Sequence, residues 1–257
     1  MLNQAYVPVA YEPMQLSAQK TTRAGITVGS SLVKVQLAHA IKPNIGIAIN
    51  EAYGFGASNT EAVISYFKTK DKTSFEFGLG TGFQKNNINY FATAKYIPEN
   101  ILYLSRYTYY DECVNSAYQT LFLCGAYFLN SPNEKHKIGL CLKSGGAYIY
   151  DYNYDYKSYS GDHSMTSGPN DQEQLQFKNA MFFSAETSIL YMLRIKRAGI
   201  RVQAGYNYCS PAIQHDYYFE QSGVPFNKFV QASRNHPTYN AFIFSVGFVF
   251  TLNKKKD

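Results

Sequence analysis

The chain has 257 residues and a formal net charge of +6, with 24 Tyr, 18 Phe and no Trp. No linker-like stretch divides it and no run of about 18 apolar residues occurs, so a single domain is expected and helical membrane spans are excluded. The basic residues fall in short scattered clusters, such as Lys68, Lys70 and Lys72 or Arg194, Lys196 and Arg197; no helix or RNA-binding motif gathers them, so nucleic acid is not an expected partner.

Residues 1–22 read as a periplasmic N-terminal extension. The opening MLNQAYVPVAYEP lacks the basic and apolar regions of an export signal, which leaves a mature form, an upstream start and a non-exported protein all open. From there on, apolar residues recur at every second position between turn signals, the pattern of β-strands. Ten such segments lie at 24–29, 32–41, 45–53, 62–68, 73–83, 118–129, 136–150, 175–195, 198–208 and 239–252. Connections alternate: short at 42–44, 69–72, 130–135 and 196–197, long at 84–117, 151–174 and 209–238. Short turns on one rim, long loops on the other and an even strand count describe an antiparallel transmembrane β-barrel over residues 23–253, with short periplasmic turns, long extracellular loops and a basic tail at 254–257. The segment 84–117 holds two further strand-like runs, 88–97 and 101–110, which form either an external hairpin or two more wall strands, making twelve.

Hairpin pairing supports the scheme when apolar residues meet, as in Tyr66 opposite Phe75, Ile195 opposite Ile200 and Leu123 opposite Leu142. That register also sets Cys124 opposite Cys141, as a disulfide or as two small thiols in the wall, with Cys113 and Cys209 in or beside long loops. The last strand puts Phe242, Phe244, Val246, Phe248, Phe250 and Leu252 on one face, which is expected to meet lipid.

Four pieces share a further likeness: AYVPVAYEP near the start, RAGITVGSSLVKVQLAHAIKPNIGIAIN at 23–50, FEFGLGTGF at 75–83 and FIFSVGFVFTLN at the end. With its Tyr-x-Pro opening, Gly-rich first hairpin, AxxxNxG second turn and Phe/Leu/Asn final strand, the chain resembles the small, porin-like outer-membrane β-barrel proteins of Bacteroidota. The likeness covers most strands and little of the long loops. It implies a fold and an outer-membrane location, not a reaction. Members often carry a cysteine just before the Tyr-x-Pro segment for a lipid anchor; here the first cysteine is Cys113, a departure from that pattern.

With the apolar faces toward lipid, the inward faces carry Lys34, Gln36, Asn50, Glu61, Glu76, Lys143, Glu186, Arg194, Arg201 and Gln203. Mixed charges pointing inward pair with one another, since isolated buried ions are costly. The expectation is a filled polar lumen; a narrow solute path past Lys34, Glu76 and Glu186 is the alternative. The aromatic residues Tyr107, Tyr109, Tyr110, Tyr152, Tyr154, Tyr156, Tyr159, Tyr217, Tyr218 and Phe219 are read as an extracellular recognition surface on loops, while Tyr148 and Tyr150 suit an interfacial girdle.

No metal, cofactor or catalytic group is expected. Asp151, Asn153, Asp155 and Asp162 have calcium-loop spacing, but Tyr156 stands where that loop needs Gly. His163 and His215 stand beside acidic residues in polar loops, a weak hydrolase signal, and Gly78, Gly80 and Gly82 alternate within a strand instead of cradling a phosphate. The expected function is that of a structural or binding subunit, not an enzyme, partnered by outer-membrane lipid and by other outer-membrane proteins or lipoproteins. A porin-like channel and a soluble lipocalin-like barrel with its faces reversed are the alternatives.

Overall fold

A computed structural model describes residues 9–16, 20–29, 32–54, 56–70, 72–96, 106–133, 135–161, 171–210, 216–221 and 241–253. Eleven strands follow in chain order: β1 Thr22–Gly29, β2 Val33–Lys42, β3 Ile45–Gly54, β4 Ala57–Lys70, β5 Thr73–Tyr96, β6 Arg106–Asn130, β7 His136–Gly161, β8 Asp171–Ile195, β9 Ala198–Cys209, β10 Asp216–Gln221 and β11 Ala241–Asn253. Each of β1 to β9 pairs antiparallel with its sequence neighbour, and β11 closes the ring between β9 and β1. The wall therefore has ten strands, and closure leaves it no free edge within the membrane. β10 stands outside this count, pairing with the far end of β8 at Glu173–Lys178.

Alternation explains the faces. In β4, Glu61, Val63, Ser65 and Phe67 are buried while Ala62, Ile64, Tyr66 and Lys68 are exposed. The outward set is apolar almost everywhere along the wall, and the anticipated lipid face of β11 runs from Phe242 at 84% exposure to Leu252 at 52%. Aromatic rings bound this belt at both rims: Tyr66, Phe75, Tyr127 and Tyr191 near the short turns, Tyr53, Phe83, Tyr150 and Tyr206 toward the long connections. Phe75 and Phe83 of β5 are eight residues apart, about 27 Å along a strand at ~3.4 Å per residue, which suits the apolar band of a tilted membrane strand. The arrangement is opposite to that of a soluble ligand-binding barrel.

The pairing departs from the sequence-based register by two residues in all three hairpins. Tyr66 faces Phe77, Leu193 faces Ile200, and Leu123 faces Ser144. One turn is tighter than expected, since Lys70 pairs with Thr73 and leaves two residues; the other is the two-residue turn at 196–197, with Ile195 paired to Ala198 and Lys196 in the left-handed conformation (φ 55°) that such a turn requires. A slip of two preserves every face, so the inside and outside assignments survive. Cys124 is opposite Lys143 and Cys141 opposite Ala126, so the two cysteines are not a directly facing pair; all four cysteines are free thiols.

The connections at 84–117 and 151–174 are largely strand among the described residues. β5 to β8 run 24, 25, 26 and 25 residues, more than twice the ~9–11 that a bilayer needs. The segment 84–117 follows the external-hairpin alternative, not two more wall strands: β5 and β6 continue through it, paired out to Tyr96 and Arg106. Above the upper ring of aromatics the polarity inverts. Outward positions become Lys85, Asn87, Asn115, Asp151 and Asn153, while Val114, Tyr118, Tyr152 and Tyr154 are buried inward with Phe182 and Cys209. In β7 a bulge performs the switch: Tyr118 pairs with Ile149 and Ala117 with Asp151, leaving Tyr150 as the extra residue.

That bulge corrects the recognition-loop expectation. Tyr152 and Tyr154, expected at a loop tip, are 0% and 3% exposed inside the extracellular sheet, and Tyr156 packs partly buried against them. Tyr107, Tyr109 and Tyr110 belong to β6, Tyr159 to β7, and Tyr217, Tyr218 and Phe219 to β10, so these too are strand residues; their side chains lie outside the described residues. The Asp151–Asp155 stretch is strand as well, which removes the calcium-loop geometry. Among the described residues no group of His, Cys, Asp and Glu is arranged to hold a metal. His163, His215 and the tail 254–257 lie outside the described residues.

Candidate functional site: the barrel lumen and its N-terminal segment

Residues 9–16 do not extend away from the barrel. They run through its bore, with Val9, Tyr11, Glu12, Met14 and Leu16 each at most 4% exposed. Met14 and Leu16 pack with Ala40, Ala48 and Phe67 toward the short-turn rim, whereas Val9 packs with Leu32, Ala52 and Ala57 toward the long-connection rim. In chain order the segment therefore runs from the extracellular side down to the periplasmic rim, where β1 begins. The expected periplasmic extension is corrected for these eight residues; 1–8 and 17–19 lie outside the described residues. A barrel of about ten strands is slightly wider than one whose own side chains fill it, and a single extended chain fits the difference.

The inward residues are the segment's binding partners. Lys34 Nζ donates to Ala10 O at 2.7 Å, Gln36 Nε2 to Glu12 O at 2.7 Å, Gln203 Nε2 to Tyr11 O at 3.0 Å and Lys143 Nζ to Val9 O at 3.5 Å. Glu186 accepts the Tyr11 N–H at 2.9 Å. Glu76 accepts three bonds: from the Tyr11 hydroxyl at 2.9 Å, the Met14 N–H at 3.0 Å and the Gln15 N–H at 3.1 Å. The successive N–H groups of Met14 and Gln15 thus meet the two oxygens of one carboxylate, and Gln15 itself has φ 50°. Arg201 pairs with Glu12 at 2.5 Å and also donates to Thr27 Oγ1.

The remaining lumen residues support this set. Lys143 forms an ion pair with Glu61 at 2.6 Å and sits 4.2 Å from the centre of the Phe122 ring. Asn50 lies opposite Glu61 in the β3–β4 register and is buried. Gln203 also donates to Ser188 Oγ at 2.7 Å, while Arg194 is only partly buried near the short-turn rim. Nearer the long-connection rim, Asn59, Gln84, Asn86 and Ser116 form a chain of amide and hydroxyl bonds of 2.8–3.1 Å across β4, β5 and β6. A cavity beside Val9, Glu12, Lys34 and Ser245 measures about 30 Å³, room for one or two waters, and the gaps near Arg194 and Gln15 are about 10 Å³ each.

Sequence reasoning missed Tyr11, Glu12, Thr27 and Arg23 as members of this site. One signal was present: the repeated Tyr-x-Pro, Tyr6-Val7-Pro8 and Tyr11-Glu12-Pro13, marks an extended backbone whose prolines need no N–H partner. A second was the inward charge count, which is short of carboxylates in the wall alone.

No protein-family model matches the chain, and no curated protein matches it. Among solved structures, the outer membrane protease OmpT of Escherichia coli is similar at TM-score 0.50 and 11% identity, over 90% of this chain and 94% of that one. The CymD monoaromatic hydrocarbon channel, with TM-score 0.32 and 6% identity over 95% and 91% of the two chains, and the NanC porin, with 0.29 and 10% over 90% and 99%, also match. The likeness to OmpT is one of fold. Together with the ten-strand closure, the apolar belt and its aromatic rims, it makes the chain an outer-membrane β-barrel, placed in the cell outer membrane.

Proposed function

We propose that this barrel serves as a structural or binding subunit of a larger outer-membrane assembly, working through its surface and not as an open pore. The observation that carries this reading is the occupied lumen. Residues 9–16 take the bore, and the cavity beside Val9, Glu12 and Lys34 has room for a water or two. The extracellular continuation of β5 to β8 with β10 supplies the surface on which other outer-membrane proteins or lipoproteins would dock. The Tyr-x-Pro opening and the Gly-rich first hairpin support a place among the porin-like outer-membrane barrels of Bacteroidota, and the lumen network supports a role without catalysis.

The test is paired. Native extraction in mild detergent should recover the protein with fixed partners, and the intact chain should be silent in planar bilayers. Isolation as a lone monomer under gentle conditions would sink the subunit reading. A narrow solute channel is the second reading. What favours it is that, among the described residues, 9–16 are held by side-chain bonds, ion pairing and packing and belong to no strand of the wall, so they can be withdrawn without breaking the ladder. Steady conductance of the intact chain would select that reading instead.

A further inference from the structure

The wall grips the N-terminal segment mainly by its backbone. Four consecutive carbonyls, Val9 to Glu12, accept from wall side chains, and the N–H groups of Tyr11, Met14 and Gln15 donate to wall carboxylates. Bonds to the peptide unit are indifferent to side-chain identity, which is how grooves and sheet edges hold strands of varied sequence. Here side chains must supply them, because the wall's own backbone groups are spent on its ladder.

Two independent features fit the bore to a strand. The first is room. A Cβ at Gly46 would meet the Leu16 Cδ1 atom and, at 3.1 Å, the Met14 sulfur, so this glycine clears the path. The second is charge. Among the described residues the wall buries Arg23, Lys34, Lys143 and Arg201 against Glu61, Glu76 and Glu186; the fourth carboxylate, Glu12, comes from the segment. An empty bore would leave Arg201 without its carboxylate, and a strand that covers Arg201 must bring one to offset the cost of burying the charge.

We infer that the lumen is a binding site for one extended polypeptide strand, read through its backbone and one carboxylate, with residues 9–15 as a resident ligand exchangeable for another strand of this chemistry. The inference is separate from the choice between subunit and channel, since a strand site serves either. For the test, the chain folds whole with a protease site between Leu16 and Lys20, and the tether is then cut. A fluorescent peptide of residues 5–16 is added and its anisotropy followed.

The peptide is expected to enter as the cut segment leaves. N-methylation at Tyr11 and Gln15 should weaken it by about tenfold or more, as should Glu12→Gln, because each removes a bond to a buried charge. Val9→Ile and Met14→Leu together should cost clearly less, because neither side chain makes a hydrogen bond to the wall. A second measurement uses the uncut chain carrying Glu12→Gln, whose resident segment is weakened and which should take up more peptide than the unaltered chain. No uptake by either the cut or the Glu12→Gln protein overturns the inference, as does an N-methylated peptide that binds as well as the unmodified one.

Discussion

Arg201 of β9 and Glu12 of the N-terminal segment form an ion pair of 2.5 Å deep in the barrel, between residues 189 positions apart, with side chains only 3% and 1% exposed. The pair fastens a segment that belongs to no strand to the wall that surrounds it. Its two halves are unequal. Removing Glu12 leaves a buried guanidinium beside the neutral Thr27 hydroxyl, whereas Glu12 itself can follow the segment into water.

Glu12→Ala should therefore destabilise the folded barrel by about 3–5 kcal/mol, the usual cost of stripping one partner from a buried pair. Urea unfolding of the protein in lipid vesicles measures this. The double variant Glu12→Ala with Arg201→Met should recover a large part of the loss, and no recovery would show that the pair is not the source of the effect.

The belt assignment is tested on β5. Leu79 lies midway between Phe75 and Phe83 and faces outward, so Leu79→Arg should cost about 2–4 kcal/mol of folding stability in a bilayer. Asn87, on the same face but above the upper aromatics, should accept Arg within about 0.5 kcal/mol. Equal costs at the two sites would refute the boundary drawn between them.

Gly145 of β7 lies where a Cβ would run into the Leu121 carbonyl and the Phe122 backbone of β6. Neither can swing aside, so Gly145→Ala should loosen the β6–β7 pairing and cost about 1–3 kcal/mol. Gly146, where an added Cβ meets only the Phe182 carbonyl at 3.9 Å, is the control, and Ala there should be nearly silent. The comparison is made by thermal loss of the compact, heat-modifiable form on gels.

Inserting one residue between Asp151 and Tyr152 shifts the alternation by one and turns Tyr152 and Tyr154 outward relative to β6. Limited proteolysis should then cut the extracellular parts of β6 and β7 quickly while the membrane-embedded wall stays protected. Unchanged protection of the extracellular sheet would mean that the inward facing of Tyr152 and Tyr154 does not organise its core.

The sequence made the wall legible because face and strand number rest on local alternation: Ile64, Tyr66 and Lys68 share a side of β4 however that strand is paired. Translation along the strands was not legible in the same way. A shift of two keeps every face intact, and turn geometry alone decides between Tyr66 against Phe75 and Tyr66 against Phe77. The inward polar residues could be listed for the same local reason. Their partner could not, nor could the burial of Tyr152 and Tyr154, whose spacing matches Tyr148 and Tyr150 until one unpaired residue changes the side.

By itself, then, the sequence determined a ten-strand antiparallel wall with an apolar exterior and a charged interior, because both follow from a period of two read along each strand. Only the tertiary structure decided that β5 to β8 continue as one paired sheet beyond the membrane and that the segment at residues 9–16 fills the bore. The reason is separation: the bonds that hold the segment join residues 24 to 192 positions apart, and no local pattern encodes them until closure of the ring brings Lys34, Glu76, Glu186 and Gln203 around one strand-wide space.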